Sequence, residues 1–160
     1  MMNVLTRVLA MLRIIATVSL LFMMLVTIVD VTMRSALNEL VLGTVELVQL
    51  ALVATVFLAL PETLLRGEHI TVDVIDHALS HTALRRLRRT AALATLLLAA
   101  VLAWRAIPPA LDTITIGDLT TDLGISLFWY WLPLIIGAVA GAAAALAYVV
   151  GEFQARSEEE

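Results

Sequence analysis

The chain has 160 residues, of which 61% are hydrophobic and only 15% charged, with a net charge of −4, and its mean hydropathy is +0.99. A water-soluble domain of this size carries much more polar surface, so a soluble globular fold is excluded. All ten basic residues are arginine and there is no cysteine, which excludes disulfides, thiol catalysis and thiolate metal sites.

A hydrocarbon core about 30 Å thick needs about 20 mostly apolar helical residues. The first segment that qualifies is 14–33, with Asp30 near its end. Arg7 and Arg13 precede it as in a signal peptide, but it is long for one and no small-residue cleavage site follows. It reads as an uncleaved first helix. The second, 40–60, carries Glu46 and Gln49 and is closed by Pro61. The third and shortest, 90–107, follows Arg88 and Arg89 and holds Arg105 near its end. Pro108 and Pro109 then end or kink it, although Ile107, Leu111 and Ile114 are spaced for a helix that resumes. The fourth is 128–150, with Pro133 in its first turns.

Between the second and third segments, residues 72–79 project Val72, Val74, Ile75, Ala78 and Leu79 to one side and Asp73, Asp76 and His77 to the other. This amphipathic arm is too short and too charged to span, and is expected to lie in the membrane interface. Arg85, Arg86, Arg88 and Arg89 follow where the chain turns upward, suited to anionic lipid headgroups. The arginine bias sets the orientation. With the N-terminus inside, eight arginines are cytoplasmic and only Arg34 and Arg105 lie outside. The expected fold is an all-α membrane protein forming one domain over residues 1–160, with four transmembrane helices, a cytoplasmic interfacial helix and both termini cytoplasmic.

Little enzymatic chemistry is legible. His69, His77 and His81 all fall in the loop and none in a span, so axial haem ligation within the helices lacks its ligands. His77 and His81 at i and i+4 suit a polar helix face better than a zinc site. No glycine-rich nucleotide loop and no nucleophile–base spacing occurs. No catalytic, cofactor or metal residue is therefore assigned, and no nucleic-acid partner. Among charges at membrane depth, Glu46 reads either as an ion or proton site or, preferably, as the partner of Arg34 or Arg105 in a pair that fixes helix packing. Asp30 and Arg34 are placed to pair at i and i+4. Gly137 and Gly141 form a Gly-x-x-x-Gly step, continued by Ala145, that admits a close helix within this chain or on another. Phe128, Trp129, Tyr130 and Trp131 read as a headgroup-level aromatic belt.

Taken together, these features resemble one family. Glu46-Leu47-Val48-Gln49, then Leu60-Pro61, then Arg66-Gly67-Glu68-His69-Ile70-Thr71-Val72-Asp73 is similar to the hallmark of the small membrane subunit (DctQ type) of tripartite ATP-independent periplasmic (TRAP) transporters. Arg34 with Asn38, and Leu123-Gly124-Ile125 leading to Leu132-Pro133, agree more weakly. Ser126 and Leu40 stand where members often have proline, which leaves room for a looser start to the fourth helix. The resemblance implies a non-enzymatic bracing subunit of the bacterial inner membrane. Its partners would be a large membrane subunit that moves an organic acid, usually a carboxylate, on a sodium gradient, and a periplasmic solute-binding protein. Arg66, His69 and Asp73 would then be structural. Two rival classes stand beside this reading: a small channel or transporter built from copies of the chain, and the membrane anchor of an oxidoreductase.

Overall fold

The computed structural model describes residues 2–66 and 81–157. Four α-helices dominate: α1 (Met2–Leu37), α2 (Thr44–Arg66), α3 (His81–Ile116) and α4 (Phe128–Ser157). Among the described residues the only extended pairing is a single antiparallel bridge between Leu119 and Ser126. The amphipathic arm expected at 72–79 lies outside the described residues. All four helices contain stretches long and apolar enough to cross a membrane: Thr6–Leu37, Thr44–Leu64, Leu93–Ile116 and Phe128–Ala147.

Two of the helices, α2 and α3, run past their sequence-predicted C-terminal ends because proline does not stop them. Pro61 sits inside α2, and Pro108 and Pro109 sit inside an unbroken α3. Proline removes one helical N–H and crowds the carbonyl four residues earlier. In a membrane helix, neighbouring helices and local adjustment absorb that loss. Left-handed residues do end helices here. Asn38 (φ 53°) follows α1 and Gly117 (φ 77°) follows α3. The Gly117 and Asp118 amides both return to the Thr113 carbonyl, at 3.1 and 3.2 Å, which satisfies the carbonyls that a helix end leaves open. Ser126 starts α4 firmly. Its hydroxyl accepts from the Phe128 amide at 3.4 Å and its carbonyl from the Trp129 amide at 3.1 Å. Serine thus caps the helix where proline would have stiffened its start.

Packing runs α1–α2–α4–α3: α2 lies between α1 and α4, and α3 packs on α4. A closed four-helix bundle would also bring α1 broadly against α3, and among the described residues no extensive interface joins those two helices. The described helices form an open row with α1 and α3 at its two ends. Its contacts are built largely from small side chains, with Ala51, Ala99, Ala106, Ala110, Ala138, Ala144 and Ala145 all buried. Small residues suit helix association in lipid, where apolar surface gains nothing by leaving the bilayer and close backbone approach supplies the attraction. At the end where α1 begins and α2 finishes, Leu9 and Leu64 close over Ala144, so that three helices share one buried cluster.

Candidate functional site: a loop clasp and a glycine seam

Two connections meet at the end of the row where α1 and α3 finish. The α1–α2 turn is held by Asp30, which is buried at 8% exposure. One of its carboxylate oxygens accepts from the Val41 amide at 3.4 Å and the Thr44 hydroxyl at 3.3 Å, and the other accepts from Arg34 at 3.0 Å. A carboxylate beside the first turn of α2 also suits the positive end of that helix. The α3–α4 connection is a small hairpin, with the Thr120 amide donating to the Ile125 carbonyl at 2.8 Å and the Leu127 amide to the Asp118 carbonyl at 3.1 Å.

Glu46 joins the two connections. It lies in the first turn of α2 and is buried at 8% exposure. Its carboxylate reaches the hairpin tip, accepting from the Asp122 amide at 2.7 Å and the Leu123 amide at 3.0 Å. Each oxygen takes one N–H in a charge-assisted bond. Tyr130 adds a third link by donating its hydroxyl to the Glu46 backbone carbonyl at 2.9 Å. Leu123 folds over Gly43, whose φ is +77° and where any Cβ would collide with the leucine side chain. Glu46 is therefore not the partner of Arg34 or Arg105. Arg34 is taken by Asp30, and Glu46 finds backbone donors instead.

The Gly-x-x-x-Gly face of α4 seats on α2 of the same chain. A Cβ at Gly137 would run into the Phe57 carbonyl, and one at Gly141 would come within 3.1 Å of Leu64 Cδ1. Phe57 is four residues before Pro61, so its carbonyl has lost its ordinary helical donor. Only glycine lets α4 come against that carbonyl, in the close approach that Cα–H···O contacts allow. Pro61 and Gly137, far apart in sequence, thus belong to one contact. Of the two readings for this glycine step, a helix of the same chain or of another, the intramolecular one is realised.

The remaining candidates are dispersed. Gln49 is exposed on α2. Arg66 ends α2, and its side chain, with His69 and Asp73, lies outside the described residues. Arg85, Arg86, Arg88 and Arg89 fall within α3, and nothing further of their side chains is described. Arg105, expected near a helix end, is mid-span and exposed because α3 continues to Ile116. Sequence reasoning misses two features. Tyr130, expected in an aromatic belt, faces inward to the clasp, and nothing in its local pattern distinguishes it from Trp129, which is exposed. Arg13 pairs with Glu62 at 2.9 Å. That pair was findable, since opposite charges stand near matching ends of consecutive antiparallel helices.

Polar side chains within the spans are mostly satisfied locally. Thr17, Thr27, Thr32, Thr55, Thr95 and Thr115 each donate to the carbonyl four residues back. Among the described residues no cluster of three or more histidine or acidic side chains is placed to hold a metal. No individual curated protein matches the chain. Residues 23–155 match the family described as tripartite ATP-independent periplasmic transporters, DctQ component. That match takes in all of α2 and α3, both clasp connections, nearly all of α4 and the C-terminal part of α1, so the chain belongs to the DctQ family, the small membrane component of TRAP transporters.

Proposed function

We propose that this chain braces a large, solute-moving membrane subunit in the inner membrane, and has no transport activity of its own. The observation that carries this reading is the disposition of polar groups. Glu46, Asp30 and the span threonines satisfy their hydrogen bonds within the chain, and Arg105 stands on an exposed flank of α3, where a pathway for an organic anion needs several free polar groups or helix N-termini facing one another near mid-membrane. An open row of helices tied at its outer end suits a rigid platform. The transported solute is an organic acid, most simply a carboxylate, and the coupling ion is sodium. Both properties reside in the large subunit and in a periplasmic solute-binding protein. Both termini of the chain face the cytoplasm.

Reconstitution tests the assignment. Proteoliposomes holding this chain alone should take up no labelled carboxylate under an imposed sodium gradient. Those holding it with its co-purified large subunit and the binding protein should take it up. Uptake by the chain alone would replace the bracing role with the small-channel alternative.

A further inference from the structure

Among the described residues, Arg105 is the charged side chain set deepest in a span without a partner. It is the thirteenth residue of the 24-residue span Leu93–Ile116, about 18 Å from one end and about 16 Å from the other at a rise of 1.5 Å per residue. It is exposed, and it forms no hydrogen bond or ion pair with any described residue. Of the arginines in the first span, Arg13 and Arg34 pair with Glu62 and Asp30, and Arg7 is the second residue of that span, within reach of the headgroups. Long side chains near helix ends reach the headgroups, but from mid-span the guanidinium stays within hydrocarbon.

A second observation falls at the same place. Pro108 and Pro109 lie inside α3 and carry no N–H, so the carbonyls of Trp104 and Arg105, four residues earlier, have lost their ordinary helical donors. Trp104 is itself 76% exposed. The buried side of α3, formed by Ala99, Ala106, Ala110 and Thr113, is turned toward a different flank of the helix. A stretch of α3 that would meet lipid tails therefore carries one unpaired cation and two weakened carbonyls at the depth where each is most costly.

We propose that this face of α3 docks a transmembrane helix of the large membrane subunit, which presents an acidic side chain to the Arg105 guanidinium near mid-membrane. The inference rests on the bracing-subunit reading above. A second copy of this chain is a poor occupant. Two copies inserted the same way round place Arg105 against Arg105 at equal depth, and like charges at such an interface repel. A carboxylate on a different polypeptide meets the guanidinium with its own charge-assisted bonds.

The test uses the full chain co-expressed with its large subunit and purified through an affinity tag on the small one. Arg105→Leu should lower the amount of large subunit retained by roughly tenfold or more, as removing one member of a buried charge pair does, and Arg105→Lys should lower it less. The Arg105→Leu chain purified alone should keep its helix content and monodispersity, which separates lost docking from misfolding. Each acidic residue in the large subunit's spans is then neutralised in turn. One of them should reproduce the defect, and combined with Arg105→Leu it should cost no more than either change alone. A wild-type complex whose retention Arg105→Leu leaves unchanged would overturn the pairing and assign Arg105 to lipid contact. Absence of any wild-type complex would instead overturn the bracing reading itself.

Discussion

Glu46 shows how a single side chain can tie together segments that lie far apart in sequence. A glutamate in the first turn of a helix gains from the positive helix end, but here its side chain turns to two consecutive amides of another loop. Glutamine can offer only one acceptor to that pair and would set its own NH2 against the second amide. Alanine would leave both amides to water. Glu46→Gln is therefore expected to lower the thermal unfolding midpoint of the purified chain by several degrees, and Glu46→Ala by more. Differential scanning fluorimetry in detergent measures both. Transport by an intact Glu46→Gln complex should be largely preserved, because the carboxylate is committed to holding the loop. A complex of unchanged melting point that no longer transports would reassign Glu46 to ion handling. The sequence makes Glu46 conspicuous as a buried acid but hides its partner. Asp122 and Leu123 contribute backbone amides, which leave no trace in residue identity, and a search for a partner arginine looks in the wrong place.

At the scale of helices, the four spans are legible because runs of about 20 apolar residues rarely occur outside membrane-crossing helices. Their ends are less so, and at the C-terminal ends of α2 and α3 the difference has one cause. The rule for soluble helices makes stops of Pro61, Pro108 and Pro109, whereas all three lie inside helices. The true stops, Asn38 and Gly117, are the left-handed residues. The same displacement moves Arg105 from a helix end to mid-span. Packing between helices is half legible: the small-residue step on α4 is plain in the sequence, but its partner is not. The structure divides its two glycines sharply. Gly137→Ala puts a methyl into the Phe57 backbone carbonyl, which cannot rotate away, so it should destabilise the chain by about 1–3 kcal/mol as overpacking does. Gly141→Ala meets only side-chain methyls, of Leu64 at 3.1 Å and Leu60 at 3.6 Å, and alanine gains up to about 1 kcal/mol in helix propensity. It should be close to neutral. Equilibrium unfolding in mixed micelles compares them, and equal losses from the two would contradict the seating of Gly137 on a fixed carbonyl.

For the whole molecule, the row of described helices and its clasp fix which ends of the helices lie together, while the side of the membrane on which each end sits follows from charge. The clasp gathers the α1–α2 turn and the α3–α4 hairpin at one end, with Glu39, Asp112, Asp118 and Asp122 near it and Arg34 already paired. The opposite end gathers Arg7, Arg13 and the arginine pairs that begin α3. Because α3 continues beyond Pro109, Arg105 no longer counts as an outer residue, and the arginine bias becomes steeper than the sequence suggests. The clasp should therefore face the periplasm and the arginine-rich end the cytoplasm. The absence of cysteine allows a direct measurement. Single cysteines at Thr121, in the hairpin, and at Ser157, at the far end of α4, are separated by about 45 Å of helix at 1.5 Å per residue. In spheroplasts a membrane-impermeant maleimide should label Thr121→Cys at once and Ser157→Cys only after lysis. The reverse order would invert the molecule and set the clasp in the cytoplasm, out of reach of a periplasmic binding protein. Labelling of both before lysis would mean that α4 does not cross the membrane, and the four-span architecture would fail with it.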